Sequence, residues 1–404
     1  MKKSIVAAIA AVLTIFMMTG AVFGSSSAAS GSASAADASA AVTQVPDITI
    51  ILEGNVTKFK NVPVSVKGNT LLPLREYLVN LGVPNNDSNI KYDAKEKSVY
   101  IKYKQTEVML YIGKTTAYVN KEPVTLNTAP ILHNSLTYIP VRSIAELFGK
   151  KVVWDGETRS IMICDAEKYD RIHEILTRSN EAGSKIKKYN LKMEVKAVSE
   201  TDAIKTEFGI KSISSVDKGN RKMYVDMVIK LFGFEFKTAS YYADKTVYTL
   251  NPMDNNWYKK VYTDVEYGKL FDEKSADSIA DESLCAGLNI MDSENEDEIV
   301  LRGDVYLKEL FKSALAEQNG SMAADTEELK VSDDFGMTIV IDKNTFMLKK
   351  VSMDVSAEQK ADNTTVKTDV SVSMEYSDFD GDFEVVVPQY IIKNAIEDVS
   401  ESSF

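Results

Sequence analysis

The 404-residue chain is 44% apolar and 26% charged, the make-up of ordinary globular protein, and its length suits two or three domains. The formal net charge of −12 is unevenly spread, because residues 46–165 hold 15 Lys and Arg against 12 Asp and Glu, a net of +3, while residues 166–404 carry −16. With no basic stripe beside aromatics, and an acidic half that phosphate would repel, nucleic acid is excluded as a partner.

Residues 1–24 read as a signal peptide. Lys2 and Lys3 make the positive start, Ile5 to Met18 the apolar stretch, and small residues flank Val22-Phe23-Gly24 as a cleavage region. No Cys stands there to take a lipid. The alternative is an uncleaved anchor, since Ile5 to Phe23 is just long enough to span a bilayer. After cleavage no transmembrane span remains, so the chain is expected to be secreted and extracellular, or associated with the cell wall. Residues 25–45 are a Ser/Ala tract with too little apolar bulk to offset ordering entropy, and read as a disordered tether.

From 46 to 165 the chain is written twice. Thr70–Gly82 (TLLPLREYLVNLG) aligns without a gap on Thr137–Gly149 (TYIPVRSIAELFG), pairing Pro73 with Pro140 and Arg75 with Arg142. After each Pro, apolar residues recur at helical spacing, and Gly82 and Gly149 mark left-handed ends. Each copy then has an aromatic and an aspartate, Tyr92-Asp93 and Trp154-Asp155, before a turn and a β-branched strand. The spacing predicts hairpins whose Asp bonds the turn backbone. Lys97 and Arg159 are placed to pair with that Asp. Trp154, at a strand end, is expected to be buried.

On Leu72-Pro73-Leu74-Arg75, Tyr138-Ile139-Pro140-Val141-Arg142, Phe148-Gly149 and Trp154-Asp155, this segment resembles the copper amine oxidase N-terminal-like domain, or stalk domain, of bacterial secreted proteins. The resemblance implies an interaction module that contacts the cell wall or another envelope protein. It does not extend to the enzyme, which needs three His ligands and an Asn-Tyr motif. The chain has two His, His133 and His173, and no Asn-Tyr. No cofactor and no metal site are therefore expected. The two cysteines, Cys164 and Cys285, fall in different predicted domains and are either joined or separate buried thiols.

The remainder, 166–404, reads as an α+β domain. A helix from Ala166 to Lys188 shows Tyr169, Ile172, Ile175, Leu176 and Ile186 on one side. Long alternating strands follow, with further helices at Tyr306–Gln318 and Pro388–Ile396. The acidic run Asp378 to Glu384 (DFDGDFE) lacks the spacing of a calcium loop and reads as a hairpin. Tyr241 to Tyr248 with Trp257-Tyr258-Lys259, and Ile341 to Thr345, resemble a family of bacterial secreted or lipoprotein domains of unassigned function. That family is similar in fold to lipoprotein carriers and lipid-carrying mycobacterial lipoproteins. The resemblance implies an antiparallel half-barrel around an apolar cavity. The expected lining is Met193, Met223, Val225, Met227, Tyr248, Trp257, Met337, Ile339 and Met353, facing an apolar or lipid-like molecule. The competing expectation is a structural or adhesive envelope protein whose core is simply full. An enzyme is not expected, since no GxSxG, HExxH or phosphate-binding loop occurs.

Overall fold

The computed structural model describes residues 42–156, 158–201, 204–271, 282–304, 308, 330–332, 335–361 and 364–398. The predicted signal peptide, most of the Ser/Ala tract and the predicted helix at 306–318 apart from Lys308 lie outside them. The described chain falls into two compact units, one from residue 42 to 173 with the stretch around Leu284, the other from 174 to 271 and from 289 to 398.

In the N-terminal unit, β1 (Thr43–Gln44), β2 (Thr49–Leu52), β3 (Asn55–Val56), β4 (Val64–Val66) and β5 (Asn69–Pro73) lead into α1 (Leu74–Asn80). Then β6 (Ile90–Asp93), β7 (Ser98–Tyr103), β8 (Thr106–Tyr111), β9 (Thr116–Val119), β10 (Glu122–Thr125), β11 (Ile131–His133) and β12 (Leu136–Pro140) run to α2 (Val141–Leu147). The hairpin β13 (Lys150–Asp155) and β14 (Ser160–Asp165) follows. Already at Thr43 the chain pairs with Ser65 of β4, inside what the sequence marks as tether.

The two Pro-Arg segments meet in one sheet, where Leu72 of β5 lies opposite Ile139 of β12 and Leu71 opposite Pro140. Each helix begins at its Pro and stops at a Gly with φ of +93° at Gly82 and +72° at Gly149, a backbone only Gly adopts cheaply. Leu74, Tyr77 and Leu78 from α1 and Val141, Ile144 and Ala145 from α2 enter one core with Ile101 and Leu110. The repeated phrase folds alike in both places. Asp93 accepts the N–H of Lys95 at 2.9 Å and of Glu96 at 3.0 Å, and Asp155 accepts the N–H of Thr158 at 2.8 Å and its hydroxyl at 2.9 Å. Lys97 and Arg159 both take left-handed backbone, φ +48° and +50°. The ion pair of Arg159 runs to Asp47 at 2.7 Å, which corrects the expected pairing with the turn aspartate.

The helix α3 (Ala166–Lys185) buries Tyr169, Ile172 and Leu176 at the predicted spacing and ends short of Ile186. Beyond it lie β15 (Lys188–Glu200), β16 (Lys205–Asp217), β17 (Lys222–Leu231), β18 (Phe234–Ala243), β19 (Thr246–Leu250), β20 (Trp257–Val261), α4 (Asp264–Phe271) and α5 (Glu282–Gly287). The chain continues through β21 (Asn289–Met291), β22 (Glu298–Gly303), β23 (Lys330–Val331), β24 (Gly336–Asp342), β25 (Leu348–Ala361), β26 (Thr364–Ser377), α6 (Gln389–Asn394) and β27 (Ile396–Glu397). Among the described residues β15 to β27 form one thirteen-stranded sheet, ordered β21-β22-β24-β25-β26-β15-β16-β17-β18-β19-β20-β27, with β23 on β25. All its pairs are antiparallel except the last, β20 with β27. The fold is α+β, as expected. The acidic run after β26 is an irregular turn with no return strand. Asp380 there accepts the N–H groups of Lys187 at 2.8 Å and Lys188 at 3.0 Å, and these bonds hold its carboxyl below the usual range.

The helix α5 belongs to the N-terminal unit and packs on β13 and β14, so Cys285 and Cys164 share one unit instead of two. Both are buried thiols. Burial pushes the Cys164 thiol up to about 11, so it stays protonated at neutral pH. Iodoacetamide at pH 8 is expected to leave both cysteines intact in the folded protein and to alkylate both in denaturant, read by intact mass. Rapid alkylation of the native chain would contradict the burial.

Candidate functional site

Side chains alternate across a strand, so the register of the large sheet sorts its residues into two faces. On one face, Met337 of β24 lies opposite Met353 of β25, Met353 opposite Val372 of β26, and Ile339 opposite Val351. Met193 of β15 lies opposite Met374, and Val195 opposite both Val372 and Ile210. The same face runs on through β16 to β18 in rows: Phe208, Leu231, Phe234; Ile210, Ile229, Phe236; Ser212, Met227, Thr238; Ser214, Val225, Ser240; Val216, Met223, Tyr242.

The two ends of this face differ. Met337, Ile339 and Met353 are fully buried, as are Val351, Val355 and Val372, so the β24–β26 end is filled by its own side chains. On β16 to β18, Phe208, Ile210, Met223, Val225, Met227, Ile229, Leu231 and Phe236 are only half-buried, although Ser212, Ser214 and Val216 of β16 are buried. Small hydroxyl residues, Ser212, Ser214, Thr238 and Ser240, flank Met227 and Val225 on either side. A bulky row between two small ones makes a ridge with grooves beside it. At the far end the hairpin tips expose Ile204 by 66%, Phe232 by 71% and Phe234 by 69%.

Seven of the nine expected pocket residues thus share a face: Met193, Met223, Val225, Met227, Met337, Ile339 and Met353. Tyr248 and Trp257 do not. Tyr248 lies opposite Tyr241 and Trp257 opposite Leu250, which places both on the reverse face. There they join Tyr241 against Ala243, Val387 and Ile391, beside a tilted Tyr224–Tyr241 contact with ring centroids 4.6 Å apart. The reason is the two-residue turn Asp244-Lys245, both at positive φ, which sets Ala243 opposite Thr246 and so fixes the parity of β19. The alternation of β17 extends to Ile229 and Leu231, and the FGFEF run from Phe232 to Phe236 follows directly; these are the signals from which the half-buried end was readable.

In the N-terminal unit the motif residues divide as well. Pro73 and Pro140 start helices, and Asp93 and Asp155 close turns. Arg75 donates to Asn85 Oδ1 at 2.7 Å and to the Ile90 carbonyl at 3.4 Å, tying α1 to β6. Its counterpart Arg142 instead lines a cleft of about 460 Å³, with Trp154, Arg159, Asn69, Asn127, Thr70 and Ser65 around an apolar floor that includes Ile48, Val141, Val152 and Ile161. Tyr92 and Trp154 occupy corresponding strand ends and are 44% and 45% exposed, against the expectation of a buried indole. β13 ends at Asp155, and the indole projects beyond the packed layer. Trp154→Ala is accordingly expected to cost less than about 1 kcal/mol, read as an almost unmoved melting curve.

Residues 51–163 match the copper amine oxidase N-terminal domain. Crystal structures of the lipoprotein LppX from Mycobacterium tuberculosis and of LprF from Mycobacterium bovis each align over 54% of this chain at 11% identity. They are covered over 99% and 97% of their own lengths, with TM-scores of 0.28 and 0.29. A LolA superfamily protein from Nitrosomonas europaea aligns over 54% of this chain and 95% of its own, at 11% identity and a TM-score of 0.18. At such scores these alignments carry nothing about ligand or activity. No curated protein matches the chain. Residues 171–396, more than half of the sequence, match the family of unknown function DUF6612, and the chain belongs to that family.

Proposed function

We propose that the chain is an exported, non-catalytic envelope protein whose C-terminal sheet holds an apolar or lipid-like molecule along β16 to β18. The observation that carries this reading is the contrast along one sheet face, filled at β24–β26 and half-buried at β16–β18. Aliphatic and aromatic side chains left partly in water gain from any apolar chain laid over them, by roughly 0.8 kcal/mol for each CH₂ buried. The exposed Phe232 and Phe234 extend the same surface to the hairpin tip, where such a molecule would arrive or leave. The N-terminal unit serves as the interaction module.

A titration with dansyl-undecanoic acid tests it, following dansyl emission. Trp257 is a poor reporter, since it faces the other way. Saturable binding is expected, with little dependence on salt and a negative heat-capacity change. Met227→Lys should weaken it at least tenfold by setting a charge on the ridge that the molecule would cover. A chain that binds no fatty-acid analogue would leave the structural or adhesive reading standing. Export is tested separately: the mature protein recovered from medium or wall fractions should lack residues 1–24 by mass.

A further inference from the structure

The cleft of the N-terminal unit is a second site, independent of the sheet. Its cavity of about 460 Å³ lies within the range of sites for small ligands. Three features of its wall point to one ligand chemistry. The half-exposed Trp154 offers a flat apolar face, and its indole N–H makes no hydrogen bond among the described residues. Arg159 pairs with Asp47 at 2.7 Å, whereas the exposed Arg142 makes no ion pair or hydrogen bond among the described residues. Asn127 and Asn69 complete the rim as an ordered amide pair, with Asn127 Nδ2 donating to Asn69 Oδ1 at 2.9 Å.

A planar aromatic face suits the C–H face of a sugar ring, because it removes apolar surface at low entropy cost while the indole N–H meets a hydroxyl. Asn69 also donates to the Lys67 carbonyl and Asn127 accepts from the Ser143 hydroxyl, so each rim amide keeps its second N–H and second lone pair for the polyol edge, beside the hydroxyls of Thr70 and Ser65. One free guanidinium fork suits one carboxylate, which it takes in two parallel charge-assisted bonds. We propose that this cleft binds an acidic saccharide, a uronate unit stacked on Trp154 with its carboxylate on Arg142. Residues 46–165, which supply almost the whole lining of the cleft, carry a net charge of +3 in a chain of −12, so an anionic glycan meets a segment that does not repel it.

The test uses the full chain at 0.15 M salt and isothermal titration with trigalacturonate, its methyl ester and triglutamate. Trigalacturonate should bind, and the ester, which keeps the sugar but loses the charge, should bind at least tenfold more weakly. Arg142→Gln should weaken trigalacturonate at least tenfold and Trp154→Ala at least fivefold, with folding checked by circular dichroism. Lys58→Gln, which removes the same charge from an exposed site outside the cleft, should change it less than twofold. Equal binding of triglutamate would show that the cleft reads a carboxylate and no sugar. Equal losses for Lys58→Gln and Arg142→Gln, unchanged binding in Trp154→Ala, or no binding at all would overturn the proposal.

Discussion

Tyr77→Ala is expected to remove about 3–5 kcal/mol from the N-terminal unit, enough to unfold a domain whose whole stability is of order 5–15 kcal/mol. Tyr77 is fully buried in α1, and its hydroxyl donates to the carbonyl of Val141 at 2.9 Å, at the start of α2. One ring thus fills the space between the two helices and bonds one to the other. Burial, with the Glu146 carboxylate in addition, pushes the phenol well above the ordinary tyrosine range, so the bond persists in alkali that ionises surface tyrosines. Tyr77→Phe keeps the volume and loses only the hydrogen bond, an expected cost of about 0.5–1.5 kcal/mol. Urea unfolding of the pair separates the two contributions. Similar losses for both variants would mean that the hydroxyl, and not the packing, joins the helices.

The second large effect contrasts two methionines on one face of one sheet. Met353→Ala empties a fully buried position between Met337 and Val372, and should cost about 2–5 kcal/mol. Met227→Ala removes a half-buried side chain between Ser212 and Thr238, and should cost under about 1 kcal/mol. Binding should show the opposite order. Met227→Ala loses apolar wall and should weaken a fatty-acid probe severalfold, whereas Met353→Ala, once folded, should bind as the parent does. Were both variants equally destabilised, with binding unmoved, the face would be one filled core and the carrier reading would fail.

Local order in this protein was written into the sequence. The Pro starts and Gly stops of α1 and α2, the Asp turns of Asp93 and Asp155 and the alternation of β15, β17 and β26 all depend on residues within about ten positions of one another, where backbone preference acts directly. Parity across strands did not. Tyr248 and Trp257 stand beside the apolar face in sequence, yet the register through the Asp244-Lys245 turn turned them to the reverse side, since a shift of one residue exchanges the faces of a strand. Nor could the repeat say which of its arginines would be spent on structure. Arg75 found Asn85 and the Ile90 carbonyl within reach, and Arg142, in the same motif, was left facing a cleft. Burial decided the rest: Trp154 and Tyr92 carry aromatic side chains that composition would place inside, but their strand ends lie at the edge of the packed layer, and only the assembled sheets determine where that edge falls.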